Sequence, residues 1–391
     1  MRENWKYQPL GEICDFISGF TPSKQELNEK AGIPYFKVSD MNRDTNSVYM
    51  IETELFVVNP RKTIPANSII FPKNGGAIFT GKKRILKYDS IIDLNTEALN
   101  IKDKNVNLQF LYTFLLGVDF GQFDNGGGLP SINIKKMKDF IVPVPPLPEQ
   151  ERIVALLDDQ FAKIDTLKAN AASQLQAAKD LFQSALKEML TPKEGWEMKK
   201  VGDCFISINN GANIKQTKGA GGIPITRIET LSNGVFNVDR LGYANIDDTS
   251  RYSKYILKDG DLLMSHINSV EFVGRTVVYH DQLPIVIHGM NLLRLVPNTT
   301  AISDFYYYAF KAPWFRSQLE PIIHKSVNQA SMNTTALKQV NIYIPNKEEQ
   351  RKIVSRLDAI SEKVKALQAN YDQTINLCND LKQSLLKSIF A

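Results

Sequence analysis

The chain has 391 residues, of which 43% are hydrophobic and 23% charged, and 47 Lys and Arg against 42 Asp and Glu leave a net charge of +5. That length suits two or three units of ordinary size, and the balance is that of a globular protein rather than a disordered or fibrous one. Cys14, Cys204 and Cys378 form no CxxC pair, which argues against a disulfide framework and a zinc site, and no run approaches the roughly eighteen apolar residues that would span a bilayer. A reducing cytoplasm is the expected setting, with no export and no membrane partner.

In chain order, residues 1–146 begin with Trp5, Leu10-Gly11-Glu12 and Ile17-Ser18. They continue through short β-branched runs at 33–38 and 68–71, a Gly81-Lys82 pair and a helical patch near Phe110. Residues 147–190 read as one long helix. Pro148 with Glu149 and Glu151 supplies its start, and neither Pro nor Gly interrupts it after that.

The chain is then written a second time. Trp196, Val201-Gly202-Asp203, Ile206-Ser207, the run 223–228, Asp261 to Met264 and Gly274-Arg275 repeat the landmarks of the first half within 191–345. A second helix, opened by Asn346 and Glu349, fills 346–391. Insertions fall only in the globular parts. From Ser131/Ser331 through Pro145/Pro345, Gln150/Gln350 and Lys187/Lys387 the separation of the copies is constant, as expected of a helix whose register sets a distance.

Each helix carries apolar residues at steps of three and four. They include Ile153, Leu157, Ile164, Leu167, Ala171, Leu175 and Leu181 in the first, and Ile353, Leu357, Val364, Leu367, Tyr371, Cys378 and Leu381 in the second. Leu157, Ile164, Ala171, Leu357, Val364, Leu367 and Tyr371 are the expected pairing residues. Forty residues of helix reach roughly 60 Å at 1.5 Å per residue, more than a globular core needs. The expected fold is therefore α+β: two repeated domains joined by two long antiparallel coiled-coil helices with pseudo-twofold symmetry. The repeat also places Phe390 about as near Trp5 as Leu190 is to Trp196.

Pro146-Leu-Pro-Glu-Gln-Glu-Arg-Ile-Val154, closing a globular segment and opening a helix, resembles the first conserved region of the DNA specificity subunits of type I restriction-modification systems. Lys347-Glu-Glu-Gln-Arg-Lys-Ile-Val354 is similar to the second, and the likeness covers the whole chain. It implies a non-catalytic subunit whose two target-recognition domains read a split site in double-stranded DNA. It further implies two modification subunits that methylate adenine from S-adenosylmethionine, and restriction subunits that use ATP and Mg. No cofactor or metal is expected on this chain. The opening loops differ between halves, Gly19-Phe-Thr-Pro-Ser23 against Gly211-Ala-Asn-Ile-Lys215, so their contacts can differ.

Other chemistry is poorly represented. Asn/Asp-Pro-Pro-aromatic is absent, and Gly76-x-x-x-x-Gly81-Lys82-Lys83 lacks the Ser/Thr of a phosphate-binding loop. The four histidines have no metal-like spacing, and Gly126-Gly127-Gly128 reads as a mobile loop, with a phosphate cradle as its alternative. Basic groups for phosphates, and Arg, Lys or Asn for base edges, single out Lys73, Asn74, Lys82, Lys83, Arg84, Lys135 and Lys136 in the first half. Arg227, His266, Asn268, Arg275 and Lys325 are the candidates in the second. A solvated surface charge is the bland alternative for each. At the level of the whole chain, the competing readings are a coiled-coil scaffold with protein-binding repeats and an autonomous methyltransferase or nuclease.

Overall fold

A computed structural model describes residues 4–217, 221–232, 234–326 and 329–390. Two compact units emerge, one made of 1–171 with 372–391 and the other of 172–371. Their boundaries fall inside the long helices, Leu147–Leu190 and Lys347–Phe390.

In the first unit a five-stranded sheet runs in the order Cys14–Ser18, Thr96–Ile101, Ile69–Pro72, Arg84–Leu86, Tyr49–Met50. Its central strand, Ile69–Pro72, is buried along its whole length, as its unbroken apolar sequence requires. Lys6–Pro9 pairs with Ile141–Val144, so the start of the domain is bonded to the strand that leads into the long helix. Leu108–Leu116 forms a helix because Asn107 caps it, its Oδ1 accepting from the Phe110 amide, and because Phe110, Leu111, Phe114 and Leu115 give it a buried apolar face.

The second unit repeats this plan. Its four-stranded sheet has the order Phe205–Asn210, Leu292–Pro297, Leu262–Ser265, Thr276–Val278, matching the first four strands above, and Glu197–Lys200 pairs with Asn341–Ile344. The glycines shared by the differing opening loops have one cause. A Cβ on Gly19 would stand 2.0 Å from the Asp93 carbonyl oxygen, and one on Gly211 would stand 2.2 Å from that of His288. Only glycine allows the backbone so close.

The helix starts follow the expected chemistry, with Asn346 Oδ1 accepting from the Glu349 amide. Within the first unit the two helix segments are antiparallel. Lys382 Nζ donates to Asp165 Oδ1 at 2.7 Å, and Lys168 Nζ to Asn379 Oδ1 at 2.7 Å, so numbering rises on one segment as it falls on the other. Leu157 and Leu357 are fully buried and Ile164 nearly so, while Ala171, Val364, Leu367 and Tyr371 are half-buried.

Most of the stripe picked out by steps of three and four is buried or half-buried, but three of its leucines are not. Leu167, Leu181 and Leu381 are exposed at 56, 62 and 47%, and Phe182, Leu186 and Leu386 take the inward places. Ile153, Ile164, Leu175 and Leu186 stand eleven residues apart and are all buried. Ile353, Val364, Ile375 and Leu386 repeat that spacing and are buried or half-buried. Eleven residues make three turns at 3.67 residues per turn, on the far side of the straight helix's 3.6 from the 3.5 of a heptad.

Both ends of the repeat are closed alike. Trp5 and Phe390 pack in one apolar cluster with buried Phe110, and Leu190 and Trp196 share the core of the second unit with Phe305. This is the proximity of Trp5 and Phe390 that the repeat demands.

Candidate nucleic-acid interface

The strand Ile69–Pro72 delivers Lys73 and Asn74 to the edge of the first domain. The Lys73 amide donates to Asn95 O at 2.7 Å, and its own carbonyl accepts from the Ile132 amide at 2.9 Å. Lys73 Nζ donates to Glu97 Oε2 at 2.8 Å, which also accepts from Ser18 Oγ at 2.6 Å, so the lysine is held by a carboxylate that is almost wholly buried. Asn74 bridges to Ser131 and donates to Asn95 Oδ1. The glycine run 126–128 is strung between Asn125 and Ser131, which are bonded to each other, and Leu129 beside it is 74% exposed. Lys135 and Lys136 follow at once on the short helix Ile134–Lys138, both exposed. Four first-half candidates thus converge on residues 131–133.

The basic triplet does not join them. Lys82 Nζ donates to Asn42 Oδ1 on another loop. Lys83 is 2% exposed, which places it inside the domain rather than on its surface. Its ammonium donates to Val118 O at 2.8 Å and lies 4.2 Å over the Phe120 ring, and burial pushes its pKa down to about 8. Arg84 is a staple, donating to the carbonyls of Asn46, Met41 and Lys83, with burial lowering its pKa. Backbone carbonyls that need donors have absorbed two of the three cations.

In the second domain the three-stranded sheet Ile267–Asn268, Ala330–Met332, Ile323–Lys325 aligns Asn268, Ala330 and Lys325 in one register line. Asn268 and Lys325 therefore flank one residue. Asn268 and Arg275 also line a recess of about 450 Å³ with Ser265 and Arg240. Arg275 stacks on Phe272 at 4.1 Å. Arg227 turns instead to Glu229, at 3.3 Å, and starts a tight turn closed by Thr230 Oγ1.

His266 occupies the place of Lys73. Both follow the central strand, and the His266 carbonyl accepts from the Met332 amide at 2.8 Å as that of Lys73 accepts from Ile132. The partner differs. Glu97 pairs in register with Phe71, whereas Leu293 stands opposite Met264. Without a carboxylate, His266 is 6% exposed with Nδ1 unpaired among the described residues, and burial lowers its pKa. One backbone position thus holds an ion-paired lysine in one domain and an uncharged ring in the other.

Sequence reading missed Lys311, Arg316 and Arg240. They are scattered in the chain and carry no motif, and only the fold gathers them near Arg275. Among the described residues no group of three His, Cys, Asp or Glu could hold a metal ion, and no helix is long and apolar enough to cross a membrane.

Comparison with known proteins adds findings of three kinds. Residues 2–177 and 193–377 each match the type I restriction modification DNA specificity domain family. The type I restriction enzyme EcoKI specificity subunit of Escherichia coli is 22% identical over 99% of this chain and 89% of its own length. The putative MjaX specificity subunit of Methanocaldococcus jannaschii is 35% identical over 50% of this chain and 46% of its own. Among solved structures, a chain described under complex assembly and conformational transition of the type I R-M system covers 100% of this one with a TM-score of 0.77 at 20% identity. The HsdS subunit from Thermoanaerobacter tengcongensis covers 100% with a TM-score of 0.56, also at 20% identity.

Proposed function

Given that the chain belongs to the type I restriction-modification DNA specificity family, we propose that each of its two domains reads one half of a split DNA site and that the long helices set the spacing between the halves. The observation that carries this reading is the duplication with altered chemistry. The same strand order presents Lys73 paired with Glu97 in one domain and neutral, unpaired His266 in the other. A scaffold that bound one protein twice would have no use for that difference. Base edges differ in their donor and acceptor pattern, so two half-sites require different side chains at equivalent places.

The chain supplies recognition and leaves the chemistry to partners. Two modification subunits would transfer the methyl group of S-adenosylmethionine to adenine, and restriction subunits would use ATP and Mg to cleave. This chain itself would hold no cofactor and act as a non-catalytic subunit. The test is binding of the chain, assembled with its modification subunits, to duplexes at several salt concentrations. A split sequence bound at least a thousandfold more tightly than random duplex is the expected result, the low end of specific protein–DNA discrimination. Equal binding of all duplexes would favour the scaffold reading. Methylation by the purified chain alone would favour an enzyme.

A further inference from the structure

In the second unit Arg275, Lys311 and Arg316 open into one recess of about 430 Å³ floored by Phe182, Leu186 and Phe310. None of the three has a carboxylate within 4 Å among the described residues. Each is propped in another way. Lys311 Nζ lies 3.5 Å over the Tyr307 ring, Arg275 stacks on Phe272, and Arg316 Nη1 donates to Val273 O at 3.0 Å. Glu271 is the single carboxylate lining the recess, and it pairs with none of them. Burial, and then the neighbouring Lys365 and Arg275, push Lys311 down to about 7. Like charges crowded in a partly dry recess raise the free energy of the empty site, and an anion entering it would relieve them.

The identity of the anion follows from what adjoins the recess. Arg275 also lines the second recess, where Asn268, Ser265 and Arg240 mix hydrogen-bond donors and acceptors. That mixture suits the edge of a base, and three cations set against the single lining carboxylate of Glu271 suit a phosphate, for which the planar guanidinium fork is well shaped. We propose that Arg275, Lys311 and Arg316 seat a backbone phosphate of DNA, and that the adjoining recess with Asn268 and Arg240 meets a base edge on the same strand. This rests on the DNA-reading function proposed above and names where the second domain carries it out.

The experiment uses the complex with its modification subunits. Affinity is measured by fluorescence anisotropy between about 50 and 200 mM salt, for the methylated site and for a duplex with the second half-site scrambled. Arg275→Gln and Lys311→Gln should each reduce the slope of log affinity against log salt by about 1 and weaken both duplexes alike. Lys311→Arg should keep the slope, and Lys179→Gln, on the exposed face of the first long helix, should leave it unchanged. Asn268→Ala should weaken the intact site by about tenfold and leave the scrambled duplex unaffected, as expected on losing one base contact. Unchanged slopes in both Gln variants would overturn the proposal. So would a loss of assembly with the modification subunits at an unchanged salt slope, which would assign the recess to an acidic protein surface. Failure of the DNA-reading function itself would show separately, as a wild-type complex that does not tell the two duplexes apart.

Discussion

Gln150 and Gln350 make the same three hydrogen bonds, each inside its own unit. Gln150 Oε1 accepts from the Asn107 amide while Nε2 donates to Asn105 O and Pro145 O. Gln350 does the same with Ile302, Thr300 and Pro345. Both side chains are completely buried. The glutamine of the repeated Glu-Gln pair thus ties the start of each long helix to the loop before the short helix of its domain.

Replacing Gln150 with Leu would strand one amide and two carbonyls in the interior. The expected cost is about 2–4 kcal/mol of folding stability, with Gln350→Leu alike, read from urea denaturation. By contrast Glu348→Gln, which breaks an exposed ion pair with Lys352, should leave stability essentially unchanged. If the glutamine variants matched the wild type, the tie between domain and helix would carry no weight.

Burial along the long helices separates leucines that look alike in the sequence. Leu157→Ala empties a fully buried site and should cost about 2–5 kcal/mol, whereas Leu167→Ala, at a position 56% exposed, should fall within about 0.5 kcal/mol. Thermal unfolding of the two variants tests this assignment of inward and outward positions, and equal losses would contradict it.

These leucines mark where the fold was legible in the sequence and where it was not. The repeat exposed the two-domain plan and the long helices, because constant separation from Ser131 to Lys187 and the absence of Pro and Gly are one-dimensional facts. Which leucines face inward depends on the accumulated phase along 44 residues, where a 0.1-residue difference in period rotates the far end to another face. The candidate site divided the same way. Lys73, Asn74 and His266 stand as candidates in the sequence, and the structure places Lys73 and His266 directly after equivalent strands. Lys83 and Arg84 look like a basic surface cluster, but nearby carbonyls draw them inward. Lys311 and Arg316 acquire meaning only once the fold brings them beside Arg275.

Trp5 and Phe390 sharing a cluster means that these two positions adjoin. Joining Ala391 to Met1 by a short linker and opening the chain near Pro192, a half-buried position just past the end of the first long helix, should leave a folded subunit. Its melting temperature and methylated sequence should match the wild type. An unfolded permutant would show that the junction at 190–196 does more than connect.

Stability should fall in acid partly through His288. Its ring is buried, with Nε2 donating to Leu292 O at 2.8 Å, and burial pushes its pKa from near 6.5 down to about 4. Arg294 and His266 press it the same way. The unfolded chain therefore binds a proton below about pH 6.5 that the folded chain refuses until about pH 4. Stability from this group is full above 6.5 and falls by up to about 1.4 kcal/mol per pH unit across that window. A His288→Gln variant should lack this part of the slope in urea denaturation between pH 4 and 7, and an identical slope would remove His288 from the explanation.

The central claim is that each domain reads its own half of one site, and domain replacement with adenine-methylation mapping tests it most directly. Residues 191–345 would be exchanged for the corresponding domain of a relative with a different site, leaving both long helices untouched, and the methylated motif mapped across the host genome. The expected result is a motif in which one half is new, the other half is unchanged and the spacing between them is preserved. A motif altered in both halves, or in neither, would contradict the account.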